Sequence, residues 1–91
     1  MKRIVKTIYN YVLEKKEIPE DFLYEFSQNI IKIVQSGNVE ELTPEFEELQ
    51  NYVEMYWRGR KYEREENPIR IYQLGQLLSY VNLIRDVIDS N

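Results

Sequence analysis

The chain contains no cysteine and no histidine, and only three glycines and three prolines in 91 residues. Without cysteine there is no disulfide framework, no thiolate nucleophile, no iron–sulfur cluster and no thiolate-bound zinc. Without histidine there is no Ser-His or Cys-His catalytic pair, no imidazole ligand, and no side chain whose ordinary pKa lies near neutrality. Neither GxGxxG nor GxxxxGK[ST] occurs, so no glycine-rich phosphate loop is present. No window approaches the ~18 apolar residues of a membrane span. Met1, Lys2 and Arg3 lead into a mixed stretch rather than the continuous apolar run of a secretory signal. Together these absences predict a cytoplasmic chain without membrane, metal or cofactor. Alanine is missing too, while there are ten isoleucines, eight tyrosines and seven asparagines. That usage follows AT-rich codons and hints at a low-GC bacterium or one of its mobile elements.

What is present is a balanced, mildly acidic composition: 12 Lys+Arg against 16 Asp+Glu, net charge -4, 43% hydrophobic and 31% charged. This excludes a disordered acidic tail and fits one compact domain over residues 1–91. A chain of this length buries only about 60–65% of its unfolded surface, which leaves little room for a deep, walled active site.

Hydrophobic positions recur at helical spacing, with no strand-like alternation flanking a two-residue turn, so the fold class is all-α, a compact bundle of four helices. The first is expected over Lys2–Lys16, with Ile4, Val5, Ile8, Tyr9, Val12 and Leu13 on one side. Glu17-Ile18-Pro19-Glu20-Asp21 is a break and a restart, with proline expected at the first helical position. The second helix then runs to Ser36-Gly37-Asn38. Its Tyr24 and Ile31, seven residues apart, fall outside the main stripe as a small exposed contact. Thr43-Pro44-Glu45 reads as a hydroxyl N-cap, a first-position proline and a carboxylate at the positive helix end. The third helix either stops at Gly59 or continues toward Glu66.

Asn67-Pro68 opens the last helix by the same logic, running to about Asp89. Its apolar residues spread over more than half of its circumference, leaving Gly75, Ser79, Asn82 and Asp86 as a polar strip. A helix apolar on so many sides must be covered on those sides. It is therefore either the hydrophobic hub of the bundle or part of a homodimer seam through Leu77, Leu78, Val81, Ile84 and Ile88.

Several features carry candidate chemistry. From Glu40 to Glu54 the chain holds six glutamates and no basic residue. Glu40, Glu41, Glu47, Glu48 and Glu54, with the aromatics Tyr52 and Tyr56, are the expected surface for a basic protein partner, because complementary charge raises association rate and selectivity. The plainer alternative is a solvated helix face, and the tyrosines also suit the rim of a core. Trp57, Arg58, Arg60, Lys61, Tyr62 and Arg64 form a basic and aromatic stretch, but Glu63, Glu65 and Glu66 interleave with it. Nucleic-acid binding is not expected of an acidic chain, since phosphate affinity comes from neutralised charge. Neither the acidic third helix nor the apolar fourth suits the recognition position of a helix-turn-helix.

Glu45-x-x-Glu48 and Asp86-x-x-Asp89 place carboxylates at i, i+3 on two helices. This resembles the pattern of the MazG-type nucleotide pyrophosphohydrolases, all-helical dimers using ExxE then ExxD, although here the second pair is DxxD and lies near the C-terminus. The resemblance implies a magnesium-dependent phosphohydrolase. In size and helix number the chain is also similar to bacteriocin immunity proteins.

The leading expectation is a non-enzymatic protein-binding module, an inhibitor, immunity or antitoxin-like protein or a regulator of a phage or mobile element. A self-assembling structural factor stands second and the phosphohydrolase third.

Overall fold

The computed structural model describes residues 2–90. Four helices, α1 (Lys2–Leu13), α2 (Glu20–Ser36), α3 (Pro44–Arg58) and α4 (Pro68–Ser90), are joined with the help of two short 3-10 turns, Val39–Glu41 and Lys61–Arg64. No strand occurs among the described residues.

Helix ends follow local chemistry, with some shifts from expectation. α1 stops at Leu13 rather than Lys16 because Lys15 takes the left-handed conformation, with φ 56°. The Lys15 N–H donates to the Val12 carbonyl at 3.2 Å and the Lys16 N–H to that of Tyr11 at 3.0 Å. This is the paired closure that usually employs glycine, here built on lysine. Pro19 sits one position before α2, and its carbonyl accepts from the Phe22 and Leu23 N–H groups at 3.1 and 3.2 Å. Gly37 ends α2 as expected, with φ 70°.

Thr43 occupies the N-cap position of α3 but its hydroxyl makes no cap bond. At the other end Gly59 has an ordinary φ of -80°, and the left-handed residue is Arg60 at φ 52°. Glycine at 59 relieves crowding, since a Cβ there would lie 3.1 Å from the Met55 carbonyl oxygen.

Asn67 caps α4 as the sequence predicts, accepting from the Ile69 N–H at 3.0 Å, and its amide also donates to Glu17 at 3.1 Å. Asn67→Ala is expected to lower stability by about 1 kcal/mol, a typical capping loss, and to lower Tm by roughly 4–8 °C. Thermal unfolding followed by circular dichroism checks this, and an unchanged Tm would mean the cap is dispensable.

The principal packed pairs are α1–α2, α1–α3, α2–α4 and α3–α4, so the helices stand at the corners of a square in the order 1, 2, 4, 3. Side-chain pairs give the directions. Lys2 meets Glu45 and Tyr9 meets Tyr52, so α1 and α3 are parallel. Tyr24 borders Tyr72 while Ser27 borders Tyr80, so α2 and α4 are parallel as well. The segment between α2 and α3 crosses the square diagonally, with its Val39–Glu41 turn against α4. Across the same diagonal the Phe26 and Phe46 rings stack at 6.5 Å, and Tyr80 meets Phe26 edge-on at 5.9 Å.

Around them lie Ile8, Ile30, Ile33, Leu49, Val53, Leu74, Leu77, Val81 and Ile84, all fully buried. Each such side chain stabilises by about 1.5–3 kcal/mol, against about 0–1 kcal/mol for an exposed ion pair. The apolar core, not the surface charge, therefore holds the bundle together.

Candidate protein-docking surface

The N-terminal end of α3, the Val39–Glu41 turn and the C-terminal end of α4 meet at one end of the bundle, because α3 and α4 are antiparallel. Between them is a shallow groove of about 500 Å³. Leu42, Pro44, Phe46 and Ile88 supply its apolar lining, while Glu47, Gln50 and Asn51 supply its polar side. Glu40, Glu41, Glu47 and Glu48 are all exposed here, and none joins an ion pair among the described residues. Glu45 differs. Its carboxyl is held below the ordinary range, first by its own backbone N–H, against the opposing effect of burial, and in addition by Lys2 at 3.6 Å.

The other expected partner-binding residues lie elsewhere. Glu54, expected on the partner-binding surface, instead turns toward α4, where it pairs with Arg85 and reaches Arg58 at 4.0 Å. Its carboxylate is neutralised inside the chain. Tyr56 is only 3% exposed, its ring facing the core, so it presents nothing at the surface. Tyr52 is half-buried and accepts a hydrogen bond from Arg70 at 3.2 Å. Both tyrosines share the inner stripe of α3 with Phe46, Leu49 and Val53, and that stripe decides their position.

The expected seam on α4 divides in the same way. Leu77, Val81 and Ile84 are packed in the chain's own core, Leu78 is half-buried, and Ile88 is exposed at the helix end. The acidic pairs Glu45/Glu48 and Asp86/Asp89 occupy the same end of the bundle. Among the described residues, however, no three carboxylates converge so as to hold a metal ion. The basic and aromatic stretch folds onto itself: Tyr62 packs on Trp57 at 4.7 Å, and Arg60 reaches Glu63 at 4.0 Å.

Two buried polar residues escaped the sequence reading. Arg70, 3% exposed, donates to Glu65 at 2.6 Å, to the Val12 carbonyl at 3.0 Å and to Tyr52, with its guanidinium 5.9 Å from the Tyr56 ring centre. Burial opposes charge on Glu65, but Arg70 outweighs it and keeps that carboxyl below its ordinary range. Burial raises the Tyr56 hydroxyl, and Glu65 adds to the effect. Gln73 bridges the main chain of Ile18, accepting from its N–H at 2.7 Å and donating to its carbonyl at 2.8 Å. A signal for Arg70 was available: a cation in the first turn of a helix opposes the dipole and so calls for an anion nearby.

Comparison with known protein families, with characterised proteins and with solved structures finds no match for this chain.

Proposed function

We propose that the chain is a non-catalytic protein-binding module, with α4 as the hub of its bundle, that docks a basic protein partner on the acidic end around the α3 N-terminus. The observation that supports this is the set of four exposed carboxylates without an ion pair, Glu40, Glu41, Glu47 and Glu48, at the end of the bundle where Glu47 lines a partly apolar groove that includes Ile88. The acidic rim attracts and orients a cationic segment while Leu42, Phe46 and Ile88 receive an apolar anchor, the usual division between polar rim and apolar centre. This chemistry fits an inhibitor, an immunity or antitoxin-like protein, or a regulator that covers a basic functional surface of its target. Glu54 and Tyr56 have no part in it, and Tyr52 acts through the packing of Arg70.

The test reverses Glu40, Glu41, Glu47 and Glu48 to lysine and compares this variant with the natural chain as bait in lysate of the source cell. A stoichiometric partner should be retained by the natural chain and weakened at least about tenfold by moderate salt, because the rim acts through screened charge. The variant, still helical by circular dichroism, should not retain it. Equal retention by both baits, or insensitivity to salt, would sink the reading. A structural factor acting through its own assembly is the second reading, favoured by a separate surface on the far side of α4.

A further inference from the structure

The outer face of the α2–α4 pair is rich in apolar and aromatic residues, with one carboxylate, Glu20, at its edge beside Tyr24, Ile69 and Tyr72. Of the eight large hydrophobic residues exposed among the described residues, five lie there: Tyr24 and Ile31 on α2, and Ile69, Tyr72 and Leu83 on α4. No charged residue occurs from Ile71 to Ile84 of α4, nor from Phe26 to Ile31 of α2. Aromatic enrichment with depletion of charge marks the centre of protein interfaces rather than open surface.

We infer that this face is the interface of a two-fold symmetric dimer of the chain. The identity of the occupant rests on area, charge and the order of residues along the face. The five side chains expose on the order of 500 Å², taking an aromatic at ~200 Å². With the half-buried Leu23, Gln76 and Tyr80 bordering them, the area approaches the lower end of the ~800 ± 200 Å² per partner of a stable complex. A partner matched by charge would find only Glu20, at the edge of the face. A second copy brings its acidic end on another side of the molecule, so the like charges of the two chains stay apart.

The order of residues completes the argument. Each helix carries a protruding tyrosine toward its N-terminus, Tyr24 and Tyr72, both 68% exposed, and a flatter aliphatic residue toward its C-terminus, Ile31 at 39% and Leu83 at 44%. The midpoint of each pair falls at residues 27–28 and 77–78, and these points are level, since Ser27 and Gln76 border the same depression. A single two-fold axis crossing both helices there sets α4 antiparallel on α4 and α2 antiparallel on α2. Tyr72 then meets the partner subunit's Leu83, and Tyr24 meets the partner subunit's Ile31. Each tyrosine lands on an aliphatic residue, and the patch is complementary to itself, as an isologous interface requires.

The proposal does not rest on the acidic-end reading, and its test is read separately. Sedimentation equilibrium of the natural chain, over concentrations bracketing about 10 µM for an interface of modest area, should show a reversible monomer–dimer equilibrium. Tyr72→Lys and Leu83→Glu should each shift it at least tenfold toward the single chain while retaining helical circular dichroism. Mixed in equal amounts, the two variants should recover the two-chain mass, because the hybrid apposes lysine and glutamate at one contact and keeps the natural pair at the other. Tyr24→Lys with Ile31→Glu repeats the test on α2 should an α4 variant fail to fold. A natural chain that stays single throughout, or that instead binds phosphatidylcholine vesicles through this face, overturns the proposal. Variants that dimerise normally, or whose mixture fails to recover, overturn it as well. The quadruple lysine variant of the acidic end should dimerise like the natural chain.

Discussion

Arg70→Ala should cost about 3–5 kcal/mol of folding stability, the loss seen when one member of a buried ion pair is removed. That is a large share of the ~5–15 kcal/mol available to a small domain. The guanidinium is enclosed, and it satisfies the Glu65 carboxylate, the Val12 carbonyl at the end of α1, and the Tyr52 hydroxyl together. Truncation strands all three. Arg70→Met keeps the apolar stem and should recover little, because the anion remains unpaired. The double variant Arg70→Met, Glu65→Leu should recover most of the loss, since an apolar replacement of a whole buried pair is often neutral.

The pH dependence has a definite sign. Glu65 has a folded pKa below its ordinary value of 4.5, so its contribution is full above the unfolded pKa and fades as pH falls through the folded one. In Arg70→Met, burial acts on Glu65 with Arg70 gone and raises its pKa, so acidification from neutrality should partly restore stability. Urea unfolding between about pH 7 and pH 4 measures both effects. A loss under about 1 kcal/mol for Arg70→Ala at neutral pH would show that the guanidinium is not the joint between α1, α3 and α4.

Gln73→Leu should lower stability by about 2–4 kcal/mol, because it leaves an N–H and a carbonyl of Ile18 buried without partners at about 1–3 kcal/mol each. Ile18 precedes Pro19, which restricts it to extended backbone and keeps its polar groups out of helical bonding. Ile18 is itself 3% exposed, so water does not substitute. Gln73→Glu separates the two bonds. The carboxylate accepts from the Ile18 N–H but faces its carbonyl, so the variant should be weaker than the natural chain at neutral pH. It should regain stability in mild acid, where the protonated carboxyl can donate again. A pH-independent deficit would contradict this assignment of the two hydrogen bonds.

Where information was local, the sequence carried it. Asn67-Pro68 and Ser36-Gly37 mark helix boundaries because the cap and the left-handed turn are made within a few residues. The end of α1 was hidden because lysine stands where glycine is usual, and neighbouring residues do not signal that Lys15 will accept the left-handed backbone. At Gly59 the residue was informative for another reason than expected, namely the crowding of the Met55 carbonyl.

The acidic end was partly legible. Glu47 and Glu48 are exposed, as are Glu40 and Glu41 in the turn before α3. Glu54 needed its partner Arg85, 31 residues away, to be known. Arg70 and Gln73 depend on groups 58 and 55 residues distant, which no helical period reveals. The outlying pair Tyr24 and Ile31 could be seen, but its continuation by Tyr72 and Leu83 depended on α2 and α4 lying parallel.

The diagonal segment between α2 and α3 divides the molecule into two antiparallel helical hairpins, each assembled from near neighbours, whose mutual contacts α1–α3 and α2–α4 join distant parts of the chain. Their docking resembles the association of two small partners held on a short tether, for which effective concentrations are about millimolar. The crossover thus acts as a local reservoir of each half for the other. Cleaving it would turn this unimolecular step into a bimolecular one, with no core contact altered.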